Sequence, residues 1–201
     1  PVGKDLLRWK YQRYVKEYCR TIRSVDEQVG RLLDYLEEKG VLDNTVIVYT
    51  SDQGFLLGEH GLYDKRFMYE ESFRTPLIIS CPSLVKKHSV CKELVQNIDL
   101  APTFLSLAGV EVPKEMSGRS LLPLFKNGKA ENWRNELYYH FYDYPAVGSV
   151  RKHDGIRTKR YKLIHWYGEG SGNDEAIDFW ELYDLKKDVM EVNNVYDNPK
   201  Y

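Results

Sequence analysis

The run Thr45-Val46-Ile47-Val48-Tyr49 passes directly into Thr50-Ser51-Asp52-Gln53-Gly54, and this junction constrains the chain more than any other feature. A short apolar, β-branched run predicts a strand packed in a sheet. Its abrupt end in a carboxylate, a carboxamide and a glycine predicts a strand's carboxyl end, where α/β sheets place their ligands. A glycine-punctuated loop follows and carries Glu59, His60, Asp64 and Lys65. Adjacent strand residues face opposite ways, so a turn at Gly54 is needed for Asp52 and Gln53 to converge.

The residue types then name a chemistry. Asp52 offers an anionic oxygen and Gln53 a neutral amide oxygen, donors that suit a hard cation better than zinc. Calcium is expected, because it tolerates carboxamide ligands and irregular geometry, with magnesium as the alternative. Lys65 is a point cation able to neutralise a tetrahedral oxyanion. His60 is a candidate proton donor or substrate hydrogen-bond partner. Glu59 and Asp64 are read as acids that order the loop, and Arg66 with Glu70 as a supporting ion pair.

Around this site the pattern predicts a long helix over residues 4–39, with Tyr11, Tyr14, Val15, Tyr18, Ile22, Val25, Val29, Leu32, Leu33 and Leu36 on one face and Gly40 as its stop. Strands are expected over 45–50 and 75–80, and residues 83–93 read as a surface loop. Asp99 is expected to cap a helix running to Gly109, with Pro102 in its first turn. A short helical turn follows at 120–125. After about residue 135 the aromatic run Tyr138, Tyr139, Phe141, Tyr142 and Tyr144 predicts strands, with a hairpin at 157–161, a flexible loop over 168–174 and a last strand at 179–185. The layout is α/β: the back part of an α/β domain over 1–134, then a small antiparallel β subdomain over 135–201. In that subdomain Arg151, His153 and Arg157 crowd one short stretch and are candidate substrate contacts. Trp166 and Trp180 read chiefly as core.

The chain has 201 residues and a formal net charge of −1, which offers no electrostatic case for nucleic acid or an acidic membrane. No apolar run reaches membrane-span length. Cys19 is expected to be buried in its helix; Cys81 and Cys91 could pair, though three cysteines do not form a disulfide framework. No Asn-X-Ser/Thr sequon is present, which disfavours a glycosylated eukaryotic enzyme.

Ser51-Asp52-Gln53-Gly54, Leu57-Gly58-Glu59-His60-Gly61, Asp64-Lys65-Arg66, Tyr69-Glu70-Glu71-Ser72 and Arg74-Thr75-Pro76-Leu77 occur in order, and Trp180-Glu181-Leu182-Tyr183-Asp184-Leu185 closes the chain. Together they resemble the type I sulfatases of the alkaline phosphatase superfamily, above all the bacterial enzymes that desulfate sugars such as glucosamine 6-sulfate. The resemblance implies an alkaline-phosphatase-like α/β/α domain and a sulfuric ester hydrolase acting on a sulfated carbohydrate, in glycosaminoglycan or mucin degradation. It also implies a metal at Asp52 and Gln53, a sulfate contact at Lys65, sugar contacts from the β subdomain, and a bacterial periplasmic or secreted home. Family members use a formylglycine made from Cys or Ser in Cys/Ser-X-Pro-X-Arg. No such motif occurs here: in Cys81-Pro82-Ser83 the proline follows the cysteine directly, and position 85 is Val85. The chain is therefore expected to be the carboxyl-terminal portion of a longer enzyme, with its amino-terminal part as partner and source of the nucleophile, and to be inactive alone. A related phosphatase, phosphodiesterase or phosphonate monoester hydrolase, and a non-catalytic module, are the alternatives.

Overall fold

The computed structural model describes residues 2–145, 150–170 and 175–201. They form two compact units, Pro1–Ile47 with Ile79–Ser83, and Val48–Ile78 with Leu84–Tyr201.

The first unit is dominated by helix α1, Gly3–Glu38. Its start follows an extended Val2, Asp5 complements the positive helix end, and Gly40 at φ +66° stops it through a conformation that costs other residues more. Pairs such as Arg23–Glu27 line its solvent side at 2.9 Å. No residue of α1 is buried: Val15, Val29, Leu33 and Leu36 are half-covered, and Ile22 remains 49% exposed. Cys19 is accordingly exposed, which corrects the expected burial, because its apolar helix face meets little beyond the 3-10 turn Leu42–Asn44 within its own unit. All three cysteines are free thiols, so Cys81 and Cys91 do not pair.

Strand β1 is Ile47–Thr50, and β4, Leu77–Ser80, is its neighbour in a two-stranded sheet. Between them β2, Leu56–Leu57, and β3, Tyr63–Asp64, make a small antiparallel hairpin, and α2 is Glu70–Phe73. The remainder of the second unit has a 3-10 turn at Asn97–Asp99, α3 at Leu100–Leu107, α4 at Leu122–Phe125, and strands β5 (Glu136–Phe141), β6 (Lys152–Thr158), β7 (Tyr161–Gly168) and β8 (Ile177–Asp184). These four strands form an antiparallel sheet in chain order. Of the loop expected over 168–174, residues 171–174 lie outside the described residues; Gly168 ends β7.

Asp99 stands at the cap position of α3, as expected, but its side chain makes no capping bond to that helix. Gln96 caps the preceding 3-10 turn, and the Asp99 carboxylate turns back onto the Gln96 N–H at 2.8 Å. It also accepts from the Arg119 N–H at 2.8 Å and from the Arg134 guanidinium at 2.7 Å. A wholly buried carboxylate is tolerable only with such complete pairing.

Period-two alternation sets the inner face of the four-stranded sheet. One row is Phe141, His153, Trp166 and Phe179; the next is Tyr139, Gly155, Ile164 and Glu181; the third is Leu137, Arg157, Lys162 and Tyr183. Met68 and Tyr69 pack into this face with Ile164, Trp166 and Tyr183 to make the core. Gly155 makes the space: a Cβ there would lie 2.5 Å from the Met68 sulfur. The segment leading out of the Lys65 loop is thus anchored on the sheet by its own hydrophobic residues.

Candidate active site

The end of β1 turns beside α2. The Gly54 N–H donates to the Ser72 carbonyl at 2.9 Å and the Phe55 N–H to that of Glu71 at 2.7 Å. A Cβ on Gly54 would lie 2.1 Å from the Glu71 carbonyl oxygen, so no side chain fits without moving one of the two segments. Gly54→Ala is expected to destabilise the fold by roughly 1–3 kcal/mol, measurable as a lowered melting temperature; an unchanged melt would show that these segments do not abut.

Gln53 donates its side-chain nitrogen to the Ser72 carbonyl at 2.6 Å and lies 3.2 Å from the Ser72 hydroxyl. A carbonyl can only accept, so the nitrogen must face Ser72 and the amide oxygen Oε1 must face away. Among the described residues Oε1 accepts no hydrogen bond. The Asp52 side chain is 89% exposed. A carboxylate and a carboxamide oxygen left open are hard donors, and they fit a hard divalent cation. Among the described residues no group of three or more histidine, cysteine or acidic side chains is placed to hold a metal, so these two would form part of a ligand set.

Lys65 Nζ lies 4.0 Å from Asp52 Oδ2, with its side chain 44% exposed. So open an ion pair contributes little to stability and leaves both groups available. The Lys65 loop is conformationally strained: His60, Asp64 and Arg66 have φ of 55°, 83° and 143°. The Glu59 carboxylate orders it by accepting from the Leu57 N–H at 2.6 Å. Asp64 pairs with Arg66, and the expected Arg66–Glu70 pair is not formed, because Glu70 is turned toward the cations of β6 and β7. His60 stacks on Tyr69 with centroids 4.2 Å apart, and its Nε2 lies 3.5 Å from Glu71 Oε2.

The three candidates of the β subdomain are placed differently from one another. Arg157 is 3.3 Å from both Glu70 carboxylate oxygens. His153 is fully buried among Tyr139, Phe141 and Trp166, the last at 4.3 Å. Its Nδ1 meets the Arg151 carbonyl at 2.8 Å, which fixes the proton there in the neutral ring. Nε2 is buried with no hydrogen-bond partner among the described residues, and burial pushes the imidazole pKa down to about 4. The Arg151 guanidinium lies 4.8 Å over the Tyr144 ring.

Residues not singled out in the sequence hold this site together. Asn97 donates to the Ser51 and Asp52 carbonyls at 3.2 and 3.0 Å. Lys162, wholly buried, lies 2.9 Å from Glu70 Oε1 and 2.7 Å from Glu191 Oε1, and Glu191 Oε2 accepts from the Glu70 N–H at 2.6 Å. The lysine contacts are ion-pair approaches rather than aligned hydrogen bonds. Burial pushes the Glu70 carboxyl up, but Lys162 and Arg157 outweigh it and hold it below its ordinary value. Burial pushes Glu191 up, and there it prevails over Lys162. Lys162 could have been found from its alternation with Ile164 and Trp166, and Ser72 closes one of the motifs that carry the family resemblance; Asn97 carries no comparable signal.

The family model described as sulfatase matches residues 3–110, and the one described as N-sulphoglucosamine sulphohydrolase, C-terminal, matches residues 58–201. An N-acetylglucosamine-6-O-sulfatase of Bacteroides thetaiotaomicron is 54% identical over 99% of this chain and 35% of its own length. The multifunctional alkaline phosphatase superfamily protein PehA of Trinickia caryophylli is 35% identical over 92% of this chain and 36% of its own. The chain thus spans about a third of the length of these curated relatives. A solved structure of a protein in complex with its substrate, D-glucosamine-2-N,6-O-disulfate, superposes with a TM-score of 0.93 at 52% identity over 100% of this chain and 40% of its own. The loop bearing Asp52, Gln53 and Lys65 falls inside the first match and the sheet beneath it inside the second, and the chain belongs to the sulfatase family of the alkaline phosphatase superfamily.

Proposed function

We propose that this chain is the carboxyl-terminal part of an enzyme that hydrolyses the sulfate ester of a sulfated sugar, with a glucosamine 6-sulfate as its substrate class. The observation that carries the reading is the open cluster at the end of β1: the exposed Asp52 carboxylate, the outward Gln53 oxygen and the Lys65 ammonium 4.0 Å from Asp52. A calcium ion held by Asp52 and Gln53, with magnesium as the alternative, would supply Lewis-acid stabilisation of sulfate oxygens. The nucleophile is a formylglycine from outside this chain, and the chain alone is inactive. Lys65 faces the sulfate and neutralises charge that grows on its oxygens in the transition state. His60, held by Tyr69 and Glu71, is a proton donor or hydrogen-bond partner for the leaving sugar oxygen. Arg151 contacts the substrate flank, with its carbonyl held by the buried His153, while Arg157 steadies Glu70. A periplasmic or secreted bacterial setting, in glycosaminoglycan or mucin breakdown, suits such a substrate. No described helix is long and apolar enough to cross a membrane.

The full-length protein should hydrolyse an aryl sulfate and a glucosamine 6-sulfate in a reaction that stops on chelation and returns with Ca²⁺. Lys65→Ala should lower kcat about 10²–10³-fold with an unchanged melting temperature; normal turnover would remove Lys65 from the mechanism. The similarity to PehA favours a second reading, a phosphate or phosphonate ester hydrolase. Preference for the matching aryl phosphate in the same assay would establish it.

A further inference from the structure

Ser72 lies at the first end of a chain of contacts that the proposed chemistry does not itself use. It is completely buried in α2, yet it touches both halves of the site. Its carbonyl accepts from the Gly54 N–H at 2.9 Å and from Gln53 Nε2 at 2.6 Å. Its hydroxyl accepts from the Arg66 N–H at 3.2 Å, next to Lys65, and lies 3.2 Å from Gln53 Nε2. The Tyr139 hydroxyl holds the Arg66 carbonyl at 3.1 Å from the opposite side. One small residue thus links the turn after β1, which carries Asp52 and Gln53, to the loop that presents Lys65.

We infer that Ser72 is a positioning residue: it turns the oxygen of the Gln53 carboxamide toward the cation and holds that oxygen in register with Lys65. The inference rests on the reading of Asp52 and Gln53 as cation ligands. Its physical basis is the asymmetry of the amide. With the nitrogen committed to a carbonyl, rotation by a half-turn would set oxygen against oxygen, so only one face of Gln53 can bind a cation. Without the hydroxyl, the Arg66 N–H loses its partner and Gln53 keeps one anchor of two.

The test uses full-length protein stripped of divalent ions and titrated calorimetrically with Ca²⁺ and with Mg²⁺, so no turnover is needed. Ser72→Ala should weaken Ca²⁺ binding about tenfold and narrow the preference between the two ions. Ser72→Thr and Ser72→Val serve as a matched pair, since they add nearly the same bulk to the buried site and differ in the hydroxyl. The Thr variant should bind Ca²⁺ about tenfold more tightly than the Val variant, with similar melting temperatures for the two ion-free proteins. Gln53→Glu should bind Ca²⁺ no better than the parent despite its added charge, because a carboxylate oxygen would face the Ser72 carbonyl. Equal affinities for Ala and parent, or for Thr and Val, would overturn the role of Ser72. Asp52→Ala separates the two ideas: if it binds Ca²⁺ as the parent does, the ligand reading itself has failed, whereas its loss of binding alongside a normal Ser72→Ala removes only the positioning role.

Discussion

Replacing Lys162 with methionine is expected to destabilise the protein by about 3–5 kcal/mol. Lys162 is the cation between two acids: its ammonium lies 2.9 Å from Glu70 and 2.7 Å from Glu191. Glu70 keeps Arg157 when the lysine is gone, but among the described residues Glu191 keeps only the Glu70 N–H against a buried carboxylate. Removing one partner of a buried pair costs more than the pair contributes, because an uncompensated charge stays inside. The double variant Lys162→Met with Glu191→Leu should therefore recover a large part of the loss. Chemical denaturation of the parent, the two single variants and the double variant decides it. A double variant as unstable as the sum of its two single variants would show that Lys162 and Glu191 are not energetically coupled. The destabilised region is the junction that carries α2, so the single variant should also loosen the Gln53–Ser72 contacts.

Acidification should weaken the fold through His153. Its folded pKa of about 4 lies below the ordinary value of 6.5, because burial among aromatic rings disfavours the imidazolium. The stability this provides is complete above pH 6.5 and is lost as the pH falls toward 4, where the unfolded chain binds a proton that the folded chain refuses. The loss amounts to about 3 kcal/mol over that window. Carboxylates with lowered values, such as Glu70, also lose stability in acid, so the parent alone does not isolate the effect. His153→Phe does: it keeps a ring in the aromatic row and removes the titration. The stability difference between parent and variant should shift by about 3 kcal/mol from pH 7 to pH 4, in favour of the variant. Parallel pH profiles would show that His153 is protonated at no cost and so is not sealed in the sheet.

Much of this arrangement was legible beforehand. The strand leading into Asp52, the hairpin near Arg157–Tyr161 and the antiparallel carboxyl-terminal sheet follow from short-range periodicity, which local sequence encodes directly. Helix α1 and its stop at Gly40 follow from helical spacing and left-handed backbone geometry. The errors fell where a charged or capping residue chooses among partners. Arg66 pairs with Asp64 and not with Glu70; Asp99 holds the cap position of α3, but its carboxylate is a buried acceptor for Arg119 and Arg134 instead of capping that helix. Each choice depends on residues distant in the chain, and sequence spacing does not report which of them arrives.

The sequence by itself determined the chemistry available at the end of β1, since a carboxylate, a carboxamide and an ammonium are properties of residue type and order. Tertiary structure alone decided the direction of the Gln53 oxygen, the burial that keeps His153 neutral and the four-membered charge cluster around Lys162. Those outcomes require Ser72, the aromatic row and Glu191 to be brought within a few ångströms of groups far away in the chain, and only the packing of Met68 and Tyr69 onto the sheet does that.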